Sequence, residues 1–281
     1  MHYDKHRPQF LLGIAAAVLF SLIFTACQGD LPTAPNNQTF TKAKLEKLGV
    51  MLRQELLTQH EVLPMAAPYD TSVYFYLQSL YNQATSNIHL DKQSPADNKW
   101  DQARQWQVFV LKNDTECLAY TLPGGDFFIT TGMLKRLKKD YEVYALMSFE
   151  ATLMDEGFLL EKWIQEYNTL TLNNLIEGND QPDPLTASEL SQAMTSFSFE
   201  PRIVEFVDKA SIENTCNTSI LDPVGLQPYL SNASTSETEW LKTRPSYDGR
   251  THSLPKIASE TCRNNQLGNV NYQRFVLNNL N

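Results

Sequence analysis

Glu150 is the residue of this chain whose position most strongly suggests chemistry. Residues 149–153 are F-E-A-T-L, and they lie inside a run of apolar residues that recur at helical spacing. A buried carboxylate without a partner is costly. Either Glu150 lies at the edge of the apolar stripe and reaches water, or it lines a cleft, and periodicity leaves both interpretations open.

Several predicted elements surround this glutamate. One long helix is predicted over residues 140–167, with Asp140 as its N-cap. Three short strands are predicted upstream at residues 106–111, 117–122 and 125–130, the last two joined by a Pro-Gly-Gly turn. The pattern predicts a helix-rich α+β fold in which a small sheet of three to four strands packs beside the long helix.

Two segments upstream of the long helix carry a resemblance. Residues 119–125 are A-Y-T-L-P-G-G, and residues 131–134 are T-G-M-L. In this order and spacing they resemble the membrane-associated zinc metalloendopeptidases of the HtpX and Oma type, the family that also holds the CAAX prenyl endopeptidases. The resemblance covers residues 106–230 and implies a gluzincin-type metallopeptidase domain, whose helix carries the zinc-binding motif H-E-x-x-H.

The chain departs from that motif at the positions that would bind zinc. In the family's register, Phe149 and Leu153 replace the two histidines, while Glu150 keeps the place of the catalytic glutamate. The third ligand, a glutamate that begins an E-x-x-x-D motif, corresponds to Val204, and Asp208 matches the aspartate. Hydrocarbon side chains cannot ligate zinc. We therefore expect no cofactor, and we interpret Glu150 as a relic of a catalytic residue.

The first residues have the features of an export signal. Residues 1–27 combine a basic start with an apolar stretch and end in F-T-A-C, which resembles a bacterial lipobox. Cys27 is the predicted lipidation site, although an uncleaved anchor or an ordinary signal peptide remain alternatives. Residues 28–38 are a predicted flexible tether, and residues 39–281 a single metallopeptidase-like domain. By resemblance to Gram-negative lipoproteins, Gln28 suggests attachment to the periplasmic face of the outer membrane.

Charge limits the partners of this chain. The formal net charge is −9, and basic residues cluster only within residues 135–139. This balance argues against nucleic-acid binding. The expected partners are the membrane, through the lipid, and a peptide or another envelope protein.

The remaining cysteines favour an exported protein. Cys216 and Cys262 lie in polar, loop-adjacent stretches and are the pair that we expect to form a disulfide. Cys117, in a predicted strand, is expected to stay a buried thiol. His252 has no histidine or cysteine beside it, which favours a structural role.

The second half of the chain is predicted to alternate between helices and loops. A capping box beginning at Thr186 predicts a helix start, and Pro201 begins the helix that carries Val204. Residues 173–183 and 231–250 are polar and are predicted to be loops.

These observations leave three hypotheses for function. The first is a lipid-anchored, catalytically inactive relative of the zinc endopeptidases that binds a peptide or partner protein. The second is an active enzyme with a non-standard metal site built from carboxylates such as Glu150, Asp155 or Asp208. The third is a purely structural envelope lipoprotein, which a cleft filled by Phe149 and Leu153 would favour.

Overall fold

The computed structural model describes most of the chain after the predicted tether. The described residues are 40–64, 72–88, 99–101, 103–179, 184–216, 222, 224–232, 238–245, 249–262 and 275–280. The predicted signal segment, Cys27 and the tether lie outside these ranges.

The described ranges contain eleven α-helices and one three-stranded sheet, so the helix-rich α+β class is confirmed. The helices are α1 Lys42–Gln59, α2 Ser72–Ala84, α3 Thr131–Arg136, α4 Asp140–Asp155, α5 Phe158–Tyr167, α6 Thr169–Glu177, α7 Ala187–Ser196, α8 Pro201–Thr215, α9 Leu226–Asn232, α10 Glu239–Thr243 and α11 Arg250–Thr261. The strands are β1 Val108–Leu111, β2 Ala119–Thr121 and β3 Phe127–Thr130, and a 3-10 turn covers Leu277–Asn279.

The sheet is small and mixed. Its order is β1-β3-β2, with β1 parallel and β2 antiparallel to β3. The rings of Phe109, Phe128 and Tyr120 stack across the strands, so these three side chains share one face. Phe127 points to the opposite face because side chains alternate along a strand, and its ring contacts Tyr81 of α2. Helix α2 therefore covers one face of the sheet.

The Pro-Gly-Gly turn between β2 and β3 depends on glycine. Gly125 has a φ of +93°, and a Cβ atom there would lie 1.9 Å from the ring of Trp106. The buried Asp126 that follows forms ion pairs with Arg53 of α1 and with Arg104. The turn thus joins the two strands and also connects the sheet to α1.

The prediction of a single helix over residues 140–167 is wrong. Helix α4 ends at Asp155, and α5 begins at Phe158. Gly157, between them, has a φ of +80°, in the left-handed region that favours glycine. The chain therefore turns after the segment that carries Glu150.

Asp140 is the first helical residue of α4 rather than its N-cap, a position that Lys139 occupies. The Asp140 carboxylate accepts a hydrogen bond from the hydroxyl of Tyr76 at 3.2 Å. Burial raises the pKa of Asp140 above its ordinary value, although the Tyr76 hydrogen bond acts in the opposite direction. The folded state therefore binds this proton more tightly than the unfolded chain does.

We expect the free energy of unfolding of Asp140→Asn, relative to that of the wild type, to increase as pH rises from about 4 to about 7. The raised pKa stabilises the wild-type fold at low pH, and this contribution is lost as pH rises through the folded pKa. Urea unfolding at the two pH values measures the difference. Asp114→Asn is the control. Hydrogen bonds from Thr131 and Lys135 lower the pKa of Asp114, so its contribution to stability is already present above about pH 4 and this variant should show little pH slope over the same range. Equal pH slopes for the two variants would contradict this assignment.

Two predicted loops are partly helical. Helix α6 continues to Glu177, inside residues 173–183, and α10 forms inside residues 231–250. Thr238 caps α10 by accepting a hydrogen bond from the Leu241 amide, and Trp240 and Leu241 are buried. In contrast, the Thr186 capping box and the helix that begins at Pro201 are confirmed.

The disulfide between Cys216 and Cys262 is confirmed. It joins the residue after α8 to the residue after α11. Cys117 is free and only partly buried, and burial raises the pKa of its thiol.

Replacing both Cys216 and Cys262 with serine should lower the free energy of unfolding by about 2–4 kcal/mol, because the bond closes a long loop in the unfolded chain. The two cysteines are 46 positions apart in the sequence. Urea unfolding of the oxidised protein and of the variant measures the effect. Cys117→Ser is the matched control and should cause a smaller loss; equal losses would count against a role of the disulfide.

Within the described ranges, no helix combines the length and the apolar character needed to cross a lipid bilayer.

Candidate functional site

Helices α4 and α8 pack against each other and carry all five positions that the metallopeptidase resemblance singles out. Phe149, Leu153 and Val204 are buried, and so are the carboxylates of Glu150 and Asp208. Of the two interpretations of Glu150, exposure at the edge of the helix is thus excluded. The buried carboxylate must have its partners inside the protein.

Arg244 is the main partner of Glu150. Its Nε atom lies 2.8 Å from Oε1 of Glu150, and its Nη2 atom lies 2.9 Å from Oε2. Such a bidentate pair is the strongest common arrangement of these two groups. The indole Nε1 of Trp240 donates a further hydrogen bond to Oε1 at 2.7 Å. Both oxygens of Glu150 are therefore engaged by protein donors.

Asp208 has the same kind of partner in Arg250. The Nε atom of Arg250 lies 2.7 Å from Oδ2 of Asp208, and Nη2 lies 2.9 Å from Oδ1. Both side chains are almost completely buried, with 0% and 1% exposure. Two buried carboxylates are thus neutralised by two buried guanidinium groups.

The aromatic rings of Phe149 and Trp240 lie beside the two ion pairs. Phe149 contacts Trp240 edge to face, with 5.7 Å between ring centroids. The guanidinium carbon of Arg250 lies 5.3 Å from the centre of the Phe149 ring and 5.8 Å from that of Trp240. Cation–π attraction therefore stabilises Arg250 beyond its pair with Asp208. We call this arrangement the Glu150 centre; its members are Phe149, Glu150, Asp208, Trp240, Arg244 and Arg250.

The short helix α10 brings Trp240 and the adjacent Arg244 to the centre. Its first turn lies against Cys117, two residues before β2. The Trp240 amide donates to the Cys117 carbonyl at 3.1 Å, and the Cys117 amide donates to Glu239 Oε2 at 3.0 Å. The chain thus covers the edge of the sheet at this point with one of its own segments.

The residues of the centre do not fit zinc. Zinc sites use histidine, cysteine or carboxylate ligands, whereas the three positions that correspond to ligands are hydrocarbon side chains. The two nearby carboxylates are already paired with arginines, whose positive charge would repel a cation. Across the described residues, no group of three or more His, Cys, Asp or Glu side chains could hold a metal ion.

The carboxylates proposed for a non-standard metal site are not free to form one. Asp155, at the end of α4, accepts hydrogen bonds from Lys42 at 2.8 Å and from the indole of Trp100 at 2.7 Å. Glu150 and Asp208 have separate arginine partners. The structure therefore gives each of these three carboxylates its own protein cation. His252 is exposed on α11 and is not part of the centre.

Sequence reasoning missed three members of the centre: Trp240, Arg244 and Arg250. All three lie in residues 231–250, which were predicted to form a loop. A signal was present, because a glutamate in the middle of an apolar helix face requires a cation or donors from elsewhere in the chain.

No known family model matches this chain, and a search of curated proteins finds no match.

Proposed function

We propose that this protein is a catalytically inactive, lipid-anchored envelope protein built on a metallopeptidase-like frame, and that it acts by binding a peptide or partner protein. The observation that carries the proposal is the bidentate pair between Arg244 and Glu150. A metallopeptidase glutamate must accept a proton from a metal-bound water. In this chain, both oxygens of Glu150 already accept hydrogen bonds from Arg244 and Trp240.

The envelope location is supported by two features. The first 27 residues have the pattern of a lipoprotein signal that ends at Cys27. The disulfide between Cys216 and Cys262 is of the kind that persists in oxidising compartments. A lipid on Cys27 would hold the domain at the membrane, and the sequence after the cysteine favours the outer membrane.

We expect purified protein to bind no stoichiometric zinc and to cleave no unstructured peptide. Phe149 and Leu153 stand where a peptidase is expected to have imidazoles, and the carboxylates of the Glu150 centre are paired with arginines. Metal analysis after zinc titration and a fluorogenic peptide assay measure the two properties. The matched pair of variants is Glu150→Gln in the centre and Glu200→Gln at an exposed position.

Zinc bound at one equivalent, with hydrolysis that Glu150→Gln abolishes and Glu200→Gln leaves intact, would overturn the proposal. Hydrolysis that survives in both variants would indicate a contaminating enzyme or a different site.

A purely structural envelope lipoprotein is the second candidate, and one specific observation favours it. Phe149 is fully buried and Leu153 is 2% exposed, so these side chains fill the position where a peptide would enter a peptidase cleft. A binding partner would then have to use another surface. Photo-cross-linking from exposed positions in intact envelopes separates the candidates: a single stoichiometric partner supports binding, and its absence supports the structural role.

A further inference from the structure

A pocket of 270 Å³ lies on the face of the sheet opposite α2. Its apolar floor consists of Leu56 of α1, Leu111 of β1, Leu118 and the ring of Tyr120. Helix α7 forms the opposite wall, where Ser191, Gln192 and Thr195 line the pocket. The pocket is separate from the Glu150 centre and shares no residue with it.

Tyr120 provides an unused hydrogen-bond donor in this pocket. The residue is only 4% exposed, and its ring stacks on Phe128. Among the residues that the structure describes, no group forms a hydrogen bond with its hydroxyl. Burial raises the pKa of Tyr120, and the negative charge of Glu116 raises it further. The hydroxyl therefore stays protonated, and it is available as a hydrogen-bond donor to a molecule in the pocket.

The rim of the pocket is polar. Gln192 presents a carboxamide and Thr195 a hydroxyl oxygen, whereas the carboxamides of Gln59 and Asn113 are already hydrogen-bonded within the protein. Glu116 and His60 also line the rim, and one carboxylate and one imidazole do not form a cluster of a single charge. A strongly charged ligand would therefore find no matching cluster of opposite charge. The rim instead suits a neutral ligand that carries several groups able to donate and accept.

The position of the pocket disfavours an extended peptide. Peptides that bind to sheets pair with a free strand edge, whereas this pocket lies across the face of the sheet. The nearby edge of β1 is already paired with the chain itself: Val62 bridges Leu111, and the Leu63 amide donates to the Val110 carbonyl at 2.8 Å. The volume is also slightly below that of pockets for drug-sized molecules, about 300–1,000 Å³.

We propose that this pocket binds a neutral, polyhydroxylated molecule of the size of one sugar unit, with the Tyr120 hydroxyl donating a hydrogen bond to it. The apolar side of the sugar ring would lie on Leu56, Leu111 and Leu118. Its hydroxyl groups would exchange hydrogen bonds with the Gln192 carboxamide and the His60 imidazole at the rim. This inference goes beyond the proposed function, because it assigns a ligand to a site that the peptidase resemblance does not include.

Isothermal titration of the full-length protein tests the proposal, with a neutral hexose, an N-acetylated hexosamine and the corresponding deoxy sugars as probes. We expect one of the parent sugars to bind and Tyr120→Phe to weaken it at least about tenfold, because the variant removes the buried donor and keeps the ring. Gln192→Ala, at the exposed rim, should weaken it several-fold. The matched control is Tyr76→Phe, which removes a hydroxyl on α2, the helix that covers the other face of the sheet, and should leave affinity unchanged.

Thermal unfolding of each variant confirms that the fold is intact. Because no described group bonds the Tyr120 hydroxyl, Tyr120→Phe should melt close to the wild type. The proposal is overturned if no probe binds at millimolar concentration, or if a sugar binds equally well to wild type and Tyr120→Phe. It is also overturned if an apolar peptide or a charged sugar binds this pocket in preference to the neutral probes.

Discussion

Replacing Arg244 with methionine is expected to lower the free energy of unfolding by about 3–5 kcal/mol. The substitution removes both guanidinium bonds to Glu150 and leaves a carboxylate that is 1% exposed without its cation. The indole of Trp240 would remain as a donor, but it carries no charge. Urea unfolding monitored by circular dichroism measures the loss.

The double variant Glu150→Leu/Arg244→Met should recover most of this stability, because two apolar side chains can replace a buried ion pair at little cost. Arg202→Met is the matched control. Arg202 pairs with Glu200 at the surface, with side-chain exposures of 64% and 57%, and its loss should change stability by less than about 0.5 kcal/mol. An equally small effect of Arg244→Met would show that Glu150 has access to water.

Phe149→Ala should also lower the free energy of unfolding by about 3–5 kcal/mol. The ring is fully buried and contacts both Trp240 and the guanidinium of Arg250. Truncation therefore creates a cavity and also removes the cation–π contact between the Phe149 ring and Arg250, the partner of Asp208. Thermal and urea unfolding of the variant give the magnitude.

Phe75→Ala provides the control for this truncation. Phe75 lies on α2 and is 81% exposed, so the same chemical change should affect stability little. If Phe149→Ala proved as mild as Phe75→Ala, the ring would not be packed in the Glu150 centre. A charged or zinc-bearing arrangement at this position would then have to be reconsidered.

The expected losses of stability in Arg244→Met and Phe149→Ala have a common origin in the Glu150 centre. In a zinc peptidase with an H-E-x-x-H helix, a metal ion supplies the positive charge next to the helix glutamate. Here Arg244 and Arg250 supply positive charge from α10 and α11 to carboxylates on α4 and α8. The centre is balanced in charge and is filled by Phe149 and Trp240. We expect the Glu150 centre to act mainly by holding α4, α8, α10 and α11 in one packing arrangement.

Features that depend on neighbours in sequence were predictable from the chain itself. The capping box at Thr186 requires only a glutamate three residues later, and the helix that begins at Pro201 requires only a proline suited to the first turn. The three strands follow from short β-branched and aromatic runs next to a Pro-Gly-Gly turn. The predicted ends differ from the observed ones by a few residues, because the last pairs of a strand depend on the partner strand.

The end of α4 is a local signal that the prediction missed. Gly157 adopts the left-handed turn that ends the helix, which glycine does without strain, although the apolar pattern continues into α5.

The formation of α10, in contrast, depends on packing. Helix α10 is only five residues long, and local propensity does not form such a helix in isolation. Its formation depends on burying Trp240 and Leu241 and on the bonds to Cys117.

The sequence by itself determined that Glu150 lies on an apolar helix between the hydrocarbon side chains of Phe149 and Leu153. Only the tertiary structure decided what Glu150 contacts, since Trp240 and Arg244 lie 90 and 94 residues further along the chain. The same holds for the pocket at Tyr120, whose walls come from α1, the sheet and α7. A glutamate among apolar residues indicates in the sequence that a donor or cation must contact it. Which residue does so depends on the packing of distant segments, and no local pattern in the sequence specifies that packing.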